Sequence, residues 1–130
     1  MNGISAPANQ SGLTRVLLVE DDEGVRRSLH LMLRGRGFDV RSYAAAAPLL
    51  ADPAIKEARC LIADYRLPDS DGVAVRRALG ELGWQGRSVM ITAYPSEPLR
   101  EQALACGYDA VLEKPVRQHE LIEALEPREG

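Results

Sequence analysis

The chain has 130 residues, a hydrophobic fraction of 45% and a formal net charge of −3 at pH 7. This length suits one domain with one core, and the acidic balance without a long basic run argues against direct binding to nucleic acid. No segment has the roughly 20 apolar residues that cross a bilayer, and the start lacks the features of an export signal. We therefore expect a cytoplasmic protein with a flexible tail over residues 1–14, one domain over residues 15–126 and a C-terminal tail over residues 127–130.

The first two predicted elements are a strand and a helix. Residues 15–19 contain a continuous apolar run, which is typical of a central strand covered on both faces. The next segment has the apolar period of one helix face, and Gly35 and Gly37 end it. The residues of that helical stripe are Val25, Leu29, Met32 and Leu33.

Four more pairs of strand and helix follow along the chain. Repeated units of this kind imply a parallel sheet with right-handed crossovers and helices on both faces. The chain is too short for a barrel of eight units, so we predict an open five-stranded sheet. The further strands are predicted at 38–43, 61–64, 88–92 and 110–113, and the helices at 44–50, 73–82, 98–106 and through 121–125.

Polar residues stand at the carboxyl ends of four predicted strands. This edge is where open α/β sheets bind ligands, so acids, a candidate nucleophile and a lysine are expected to meet in one cleft. Taken singly, the acids also suit a helix cap or a turn, Thr92 an ordinary strand position, and Lys114 with Pro115 an ordinary loop. In chain order they are Glu20, Asp21 and Asp22, then Asp64, then Thr92, then Lys114 and Pro115.

As an ordered set, these residues and their neighbours resemble the receiver domain of bacterial two-component response regulators. The matching stretches are residues 16–22, 64–72, 91–93 and 113–115. The resemblance implies a flavodoxin-like, CheY-like fold with the parallel strand order 2-1-3-4-5. It also implies a phosphoacceptor signalling domain, which assists its own phosphorylation and dephosphorylation and is not otherwise an enzyme.

The same resemblance assigns a role to each residue that would handle the phosphoryl group. Asp64 would be phosphorylated by a sensor histidine kinase or a histidine phosphotransfer protein. Lys114 would pair with the phosphoryl oxygens, Thr92 would be the switch hydroxyl with the Ala93 amide beside it, and the bond before Pro115 would be cis. These residue types agree with the chemistry, because a carboxylate can be the nucleophile and phosphoryl transfer depends mainly on positioning and charge neutralisation.

A divalent cation is expected beside the phosphoacceptor, since neighbouring acids would otherwise repel the incoming group. Mg²⁺ suits this place because it prefers octahedral oxygen coordination and bridges carboxylate and phosphate. The resemblance implies that Asp21, Asp64 and the backbone carbonyl of Arg66 bind the ion directly, and that Glu20 holds a metal-bound water. Asp22 is expected to be a bystander.

One position departs from the family pattern. Val111 stands three residues before the lysine, where the family usually has a Tyr or Phe ring that turns inward as the threonine shifts. Tyr94 or Tyr108 could compensate, although a surface or packing role is expected for each. The signal to a downstream effector protein is expected to leave through the face of helix four, strand five and helix five.

Two alternative functions remain open at this point. A haloacid-dehalogenase-like phosphatase also uses a nucleophilic Asp, Mg²⁺ and Lys, but it places a second Asp two residues later, where this chain has Arg66. A pseudo-receiver would bind a partner without phosphorylation, although the acids, Asp64, Thr92 and Lys114 are all present.

Other residues are expected to lie outside the site. The arginine pairs at 26–27 and 76–77 are interpreted as solvated helix faces, with kinase docking by the first helix usual in the family. Cys60 and Cys106 are too few for a disulfide framework and are interpreted as small interior residues.

Overall fold

The computed structural model describes residues 12–126, so most of the predicted N-terminal tail and the whole predicted C-terminal tail lie outside the described residues. The described part alternates strands and helices from its first strand to its last helix. The strands are β1 (Arg15–Val19), β2 (Asp39–Tyr43), β3 (Cys60–Asp64), β4 (Arg87–Thr92) and β5 (Ala110–Glu113). The helices are α1 (Glu23–Gly35), α2 (Ala46–Leu50), α3 (Gly72–Glu81), α4 (Glu97–Cys106) and α5 (Gln118–Leu125).

The five strands form one parallel sheet in the order β2-β1-β3-β4-β5, which confirms the predicted fold class. Parallel pairing places the carboxyl ends of all strands at one edge. The register fixes their levels: Val19 pairs with Ala63, Asp64 with Ile91, and Thr92 with Glu113. The polar residues that end these strands are therefore neighbours across the sheet.

Two apolar layers cover the sheet, and alternate strand residues enter each layer because successive side chains point to opposite faces. One layer packs Leu17, Leu61 and Met90 against α2, α3 and α4. The other packs Leu18 and Ile62 against α1 and α5. This double coverage explains why β1 and β3 are buried along their whole length.

The predicted strand boundaries and those of α2, α3 and α4 agree with the structure to within two residues, whereas α5 begins three residues before the predicted segment and one element was missed. Pro53–Glu57 form a short 3-10 helix of five residues, whose preceding residue Asp52 accepts a hydrogen bond from the Ala54 amide (2.8 Å). A helix this short has no apolar period, so the pattern could not predict it. Within residues 12–126, no helix is long and apolar enough to span a bilayer.

The interpretation of Arg76 as part of a solvated face is wrong. Its Nε donates to the Ser88 hydroxyl (3.2 Å), and its guanidinium lies 5.2 Å from the centroid of the Trp84 ring. An arginine can bury its aliphatic stem and stack its guanidinium on an aromatic ring at little cost. A charged residue in a helical segment of the sequence is therefore not necessarily exposed. Both cysteines are free thiols; Cys60 is buried and Cys106 is half-buried.

Candidate functional site

The acid loop, defined as Glu20, Asp21 and Asp22, joins β1 to α1. Glu20 is fully buried, whereas Asp21 and Asp22 are exposed. The Glu20 amide donates to the Tyr43 carbonyl (3.0 Å), and Glu20 Oε2 accepts from the Asp22 amide (3.0 Å), which turns the Glu20 side chain inward. Asp22 Oδ1 accepts from the Val25 amide (2.9 Å), so Asp22 is the N-cap of α1.

Asp64 is the last residue of β3 and is almost fully buried. Its Oδ1 accepts from the Arg66 amide (3.3 Å), and its Oδ2 accepts from Lys114 Nζ (2.7 Å). The chain after it turns back sharply, because the Gly72 amide donates to the Tyr65 carbonyl (2.8 Å). A Cβ on Gly72 would lie 2.9 Å from the Asp64 carbonyl oxygen, so this close approach requires glycine.

Lys114 bridges the two buried acids of the site. Its Nζ lies 2.7 Å from Asp64 Oδ2 and 2.7 Å from Glu20 Oε1. The contact with Glu20 is an ion pair rather than a hydrogen bond, since within residues 12–126 Glu20 Oε1 accepts no hydrogen bond of suitable angle. The Lys114 amide donates to the Thr92 carbonyl (2.8 Å), and the bond from Lys114 to Pro115 is cis.

The charges of these groups depend on one another. Burial raises the pKa of Glu20; Lys114 and the Asp22 amide oppose this effect without cancelling it. Burial lowers the pKa of Lys114, but its short contacts with the carboxyl groups of Asp64 and Glu20 outweigh burial, and the net shift is upward. Lys114 therefore carries a positive charge at neutral pH, where its ammonium group lies between the side chains of Asp64 and Glu20.

Three carboxylates form a cluster that fits a divalent cation. Glu20, Asp21 and Asp64 each offer one oxygen, and these oxygens lie within 4.8 Å of one another. An all-oxygen set of this kind suits Mg²⁺ better than a metal that prefers nitrogen or sulfur. The described contact of Arg66 is made by its amide, so the role of its carbonyl stays a prediction.

Thr92 and Ala93 lie at the end of β4, on the strand beside Asp64. Thr92 is buried, and its Oγ1 accepts from the Tyr94 amide (3.2 Å). Ala93 and Tyr94 are exposed, with Tyr94 showing 78% of its surface. Thr92 is thus part of a turn that leads to α4.

Val111 lies inside the apolar layer that also holds Met90 and Tyr108. Tyr108 is buried, and its hydroxyl donates to the Gly72 carbonyl at the start of α3 (2.7 Å). This hydrogen bond gives Tyr108 a packing role and joins the turn before β5 to the end of the loop that follows Asp64.

Arg26 contacts the acid loop, so its interpretation as a solvated residue is wrong. Its Nη1 donates to the carbonyl of Glu20 (2.8 Å) and lies 3.4 Å from that of Asp21. Arg27, its neighbour on α1, is exposed as expected. The available signal was the position of Arg26 in the first helical turn, from which a long side chain can reach back to the preceding loop.

Asp69 is a second residue that sequence reasoning left without a role. Its two carboxylate oxygens accept from the amides of Ala46 and Ala47 (2.9 Å each), which start α2. The N-cap residue of α2 is Ala45, which has no side-chain acceptor. The loop after Asp64 therefore caps a helix more than twenty residues earlier in the chain.

Comparisons with known proteins decide the family. Residues 16–126 match the family model of the response regulator receiver domain. The chain belongs to this family. The transcriptional regulatory protein FixJ of Rhizobium meliloti is 36% identical over 111 residues, and the response regulator protein TmoT of Ectopseudomonas mendocina is 31% identical over 110 residues. Each alignment covers 85% of this chain and, respectively, 54% and 50% of the relative, so the chain spans about half the length of these curated relatives.

Solved receiver structures have the same fold. The crystal structure of FixJ-N is 35% identical with a TM-score of 0.75, covering 85% of this chain and 89% of that one. A CheY-like receiver domain protein from Methanospirillum hungatei JF-1 is 30% identical with a TM-score of 0.78, covering 86% and 90%. The phosphatase alternative is not favoured by these similarities.

Proposed function

We propose that this receiver domain accepts a phosphoryl group on Asp64 from a sensor histidine kinase or a histidine phosphotransfer protein, in a Mg²⁺-dependent reaction. The observation that carries the proposal is the position of Lys114 Nζ, 2.7 Å from Asp64 and 2.7 Å from Glu20, at the carboxyl edge of a receiver sheet. This arrangement supplies a nucleophile, an acid cluster and a fixed positive charge in one place.

In the proposed transfer, a carboxylate oxygen of Asp64 attacks the phosphorus of the donor. The bond between phosphorus and the donor's histidine nitrogen breaks, and the nitrogen keeps the electron pair. Lys114 then leaves the Asp64 carboxylate and pairs with the phosphoryl oxygens, which carry more negative charge. The protein receives the group and later releases it to water, so it assists its own modification and has no other substrate.

Mg²⁺ would be held by Asp21, Asp64 and the Arg66 carbonyl, and by Glu20 through a water. When bound, the ion supplies positive charge that lets an anionic donor approach a cluster of acids. The support for this set is the 4.8 Å grouping of the Glu20, Asp21 and Asp64 oxygens and their all-oxygen chemistry.

Phosphorylation would be transmitted through Thr92 and the Ala93 amide, which are proposed to hydrogen-bond the phosphoryl oxygens. The buried Thr92 hydroxyl would move to make this hydrogen bond, and its movement would shift the conformational equilibrium of the turn that leads to α4. We propose that a cytoplasmic effector protein reads the result on the face formed by α4, β5 and α5, without direct contact between this domain and nucleic acid.

The test is the intact mass of the protein after incubation with acetyl phosphate. We expect the mass of one added phosphoryl group when Mg²⁺ is present and no addition in excess chelator. A folded protein that gains no mass under either condition would instead support the pseudo-receiver alternative.

A further inference from the structure

The side chain of Arg26 reaches back from the first turn of α1 to the acid loop. Its Nη1 donates to the Glu20 carbonyl at 2.8 Å and lies 3.4 Å from the Asp21 carbonyl, and the side chain is half-buried there. Arg27, the next residue, is exposed, and its side chain forms no hydrogen bond or ion pair within residues 12–126. The two arginines therefore carry the same charge on neighbouring positions of α1 but differ in burial and in the contact with the acid loop.

We propose that Arg26 is a positioning residue for the metal site, which it serves by fixing the backbone of the two acids. The direction of each acid side chain depends on the backbone angles of its residue. Two amides of the acid loop already have hydrogen-bond acceptors: the Tyr43 carbonyl for Glu20 and the Glu20 side chain for Asp22. Arg26 instead contacts the backbone carbonyls of Glu20 and Asp21. Arg26 would thus hold the Glu20 and Asp21 oxygens in the 4.8 Å cluster. This inference rests on the proposed function, since it concerns the Mg²⁺ of that reaction.

The charge of Arg26 acts against its positioning effect. A guanidinium near a cation site repels the cation, so removing the charge alone would tighten Mg²⁺ binding. That repulsion is reduced by solvent, because Asp21 is exposed and salt screens charges over a distance of about 8 Å at physiological ionic strength. The positioning effect on metal affinity is expected to be larger than this repulsion, since replacing a residue that orients metal ligands typically weakens metal affinity about 10- to 100-fold. The two effects differ in sign, which makes the proposal testable.

The experiment is calorimetric titration of Mg²⁺ into the wild type, Arg26→Met, Arg26→Lys and Arg27→Met. We expect Arg26→Met to raise the Kd about tenfold and Arg26→Lys to give an intermediate value. Arg27→Met removes an equal charge from the adjacent position and reports the effect of charge alone, with a Kd within about twofold of the wild type. Thermal melting without Mg²⁺ establishes that each variant is folded.

An Arg26→Met variant that matches Arg27→Met, or that binds Mg²⁺ more tightly than the wild type, would overturn the proposal. If Arg26→Met does not fold, Arg26→Lys decides: a Kd about threefold above the wild type supports the positioning role, and an unchanged Kd contradicts it. A wild type that neither binds Mg²⁺ nor gains a phosphoryl group would overturn the proposed function as well. A wild type that does both, with equal Kd values for the two methionine variants, overturns the Arg26 inference alone.

Discussion

Lys114 Nζ lies 2.7 Å from Asp64 Oδ2, although 50 residues separate them in the chain. The same nitrogen lies 2.7 Å from Glu20 Oε1. One ammonium group therefore faces two buried carboxylates, and an uncompensated buried charge is costly. Lys114 is thus expected to stabilise the fold before any phosphoryl group arrives.

Replacing Lys114 by Gln should lower the free energy of unfolding by about 2 kcal/mol without Mg²⁺, less than for a fully buried pair because water reaches Lys114. Mg²⁺ should restore more stability to this variant than to the wild type, since both carboxylates become available to the ion. Urea unfolding with and without Mg²⁺ measures both effects. Lys56→Gln, at an exposed lysine, is the control, and equal stability of the two variants would contradict the prediction.

Asp21 and Asp22 are adjacent acids with different predicted roles. Asp22→Ala should cost about 1 kcal/mol of stability, because it removes the N-cap of α1, and should change Mg²⁺ affinity little. Asp21→Asn should weaken Mg²⁺ binding by at least about tenfold, since it replaces a directly binding carboxylate with a neutral amide. Calorimetry and urea unfolding of the two variants separate these effects. An equal loss of affinity would show that the ligands are misassigned by one residue.

Because Val111 has no aromatic ring, the structural response to phosphorylation should be confined to residues 94–99, between Thr92 and the first turn of α4. Val111 is buried and has little rotamer freedom, and Tyr108 is held by its bond to the Gly72 carbonyl. We expect beryllofluoride to shift the amide resonances of residues 94–99 more than those of β5. Large shifts around Val111 with little change over residues 94–99 would contradict this prediction.

The hydrogen bond from Tyr43 to Asp52 (2.7 Å) should make stability depend on pH. It is the main cause that lowers the pKa of Asp52. Because the pKa is lower in the folded state, the charge-assisted part of this contribution is present above about pH 4 and is lost as the pH falls further. Tyr43→Phe should therefore cost about 1 kcal/mol at neutral pH and less in acid.

Urea unfolding of the wild type and Tyr43→Phe at several pH values checks this dependence. The difference between the two proteins isolates the pair from other carboxylates that also titrate in acid. A difference that stays constant from pH 7 to about pH 3 would show that the Asp52 charge contributes nothing.

The sheet and the polar residues at its edge could be predicted from the sequence because alternating strands and helices bring the strand ends together. Asp64 and Lys114 follow from that rule, since Asp64 ends β3 and Lys114 comes directly after β5. The contacts of Arg26 and Asp69 do not follow, because they depend on loop conformations that have no sequence period. Asp69 caps Ala46 across 23 residues, a pairing that becomes visible only when the loop after Asp64 is folded.

The identity of the phosphoacceptor is tested most directly by comparing Asp64→Asn with Asp69→Asn. Each variant loses one negative charge, Asp64→Asn at the end of β3 and Asp69→Asn in the loop that follows it. Of the two residues, only Asp64 contacts Lys114. After incubation with acetyl phosphate and Mg²⁺, intact-mass measurement should show one phosphoryl group on the wild type and on Asp69→Asn, and none on Asp64→Asn. A full phosphoryl adduct on Asp64→Asn would contradict the assignment of Asp64 as the acceptor.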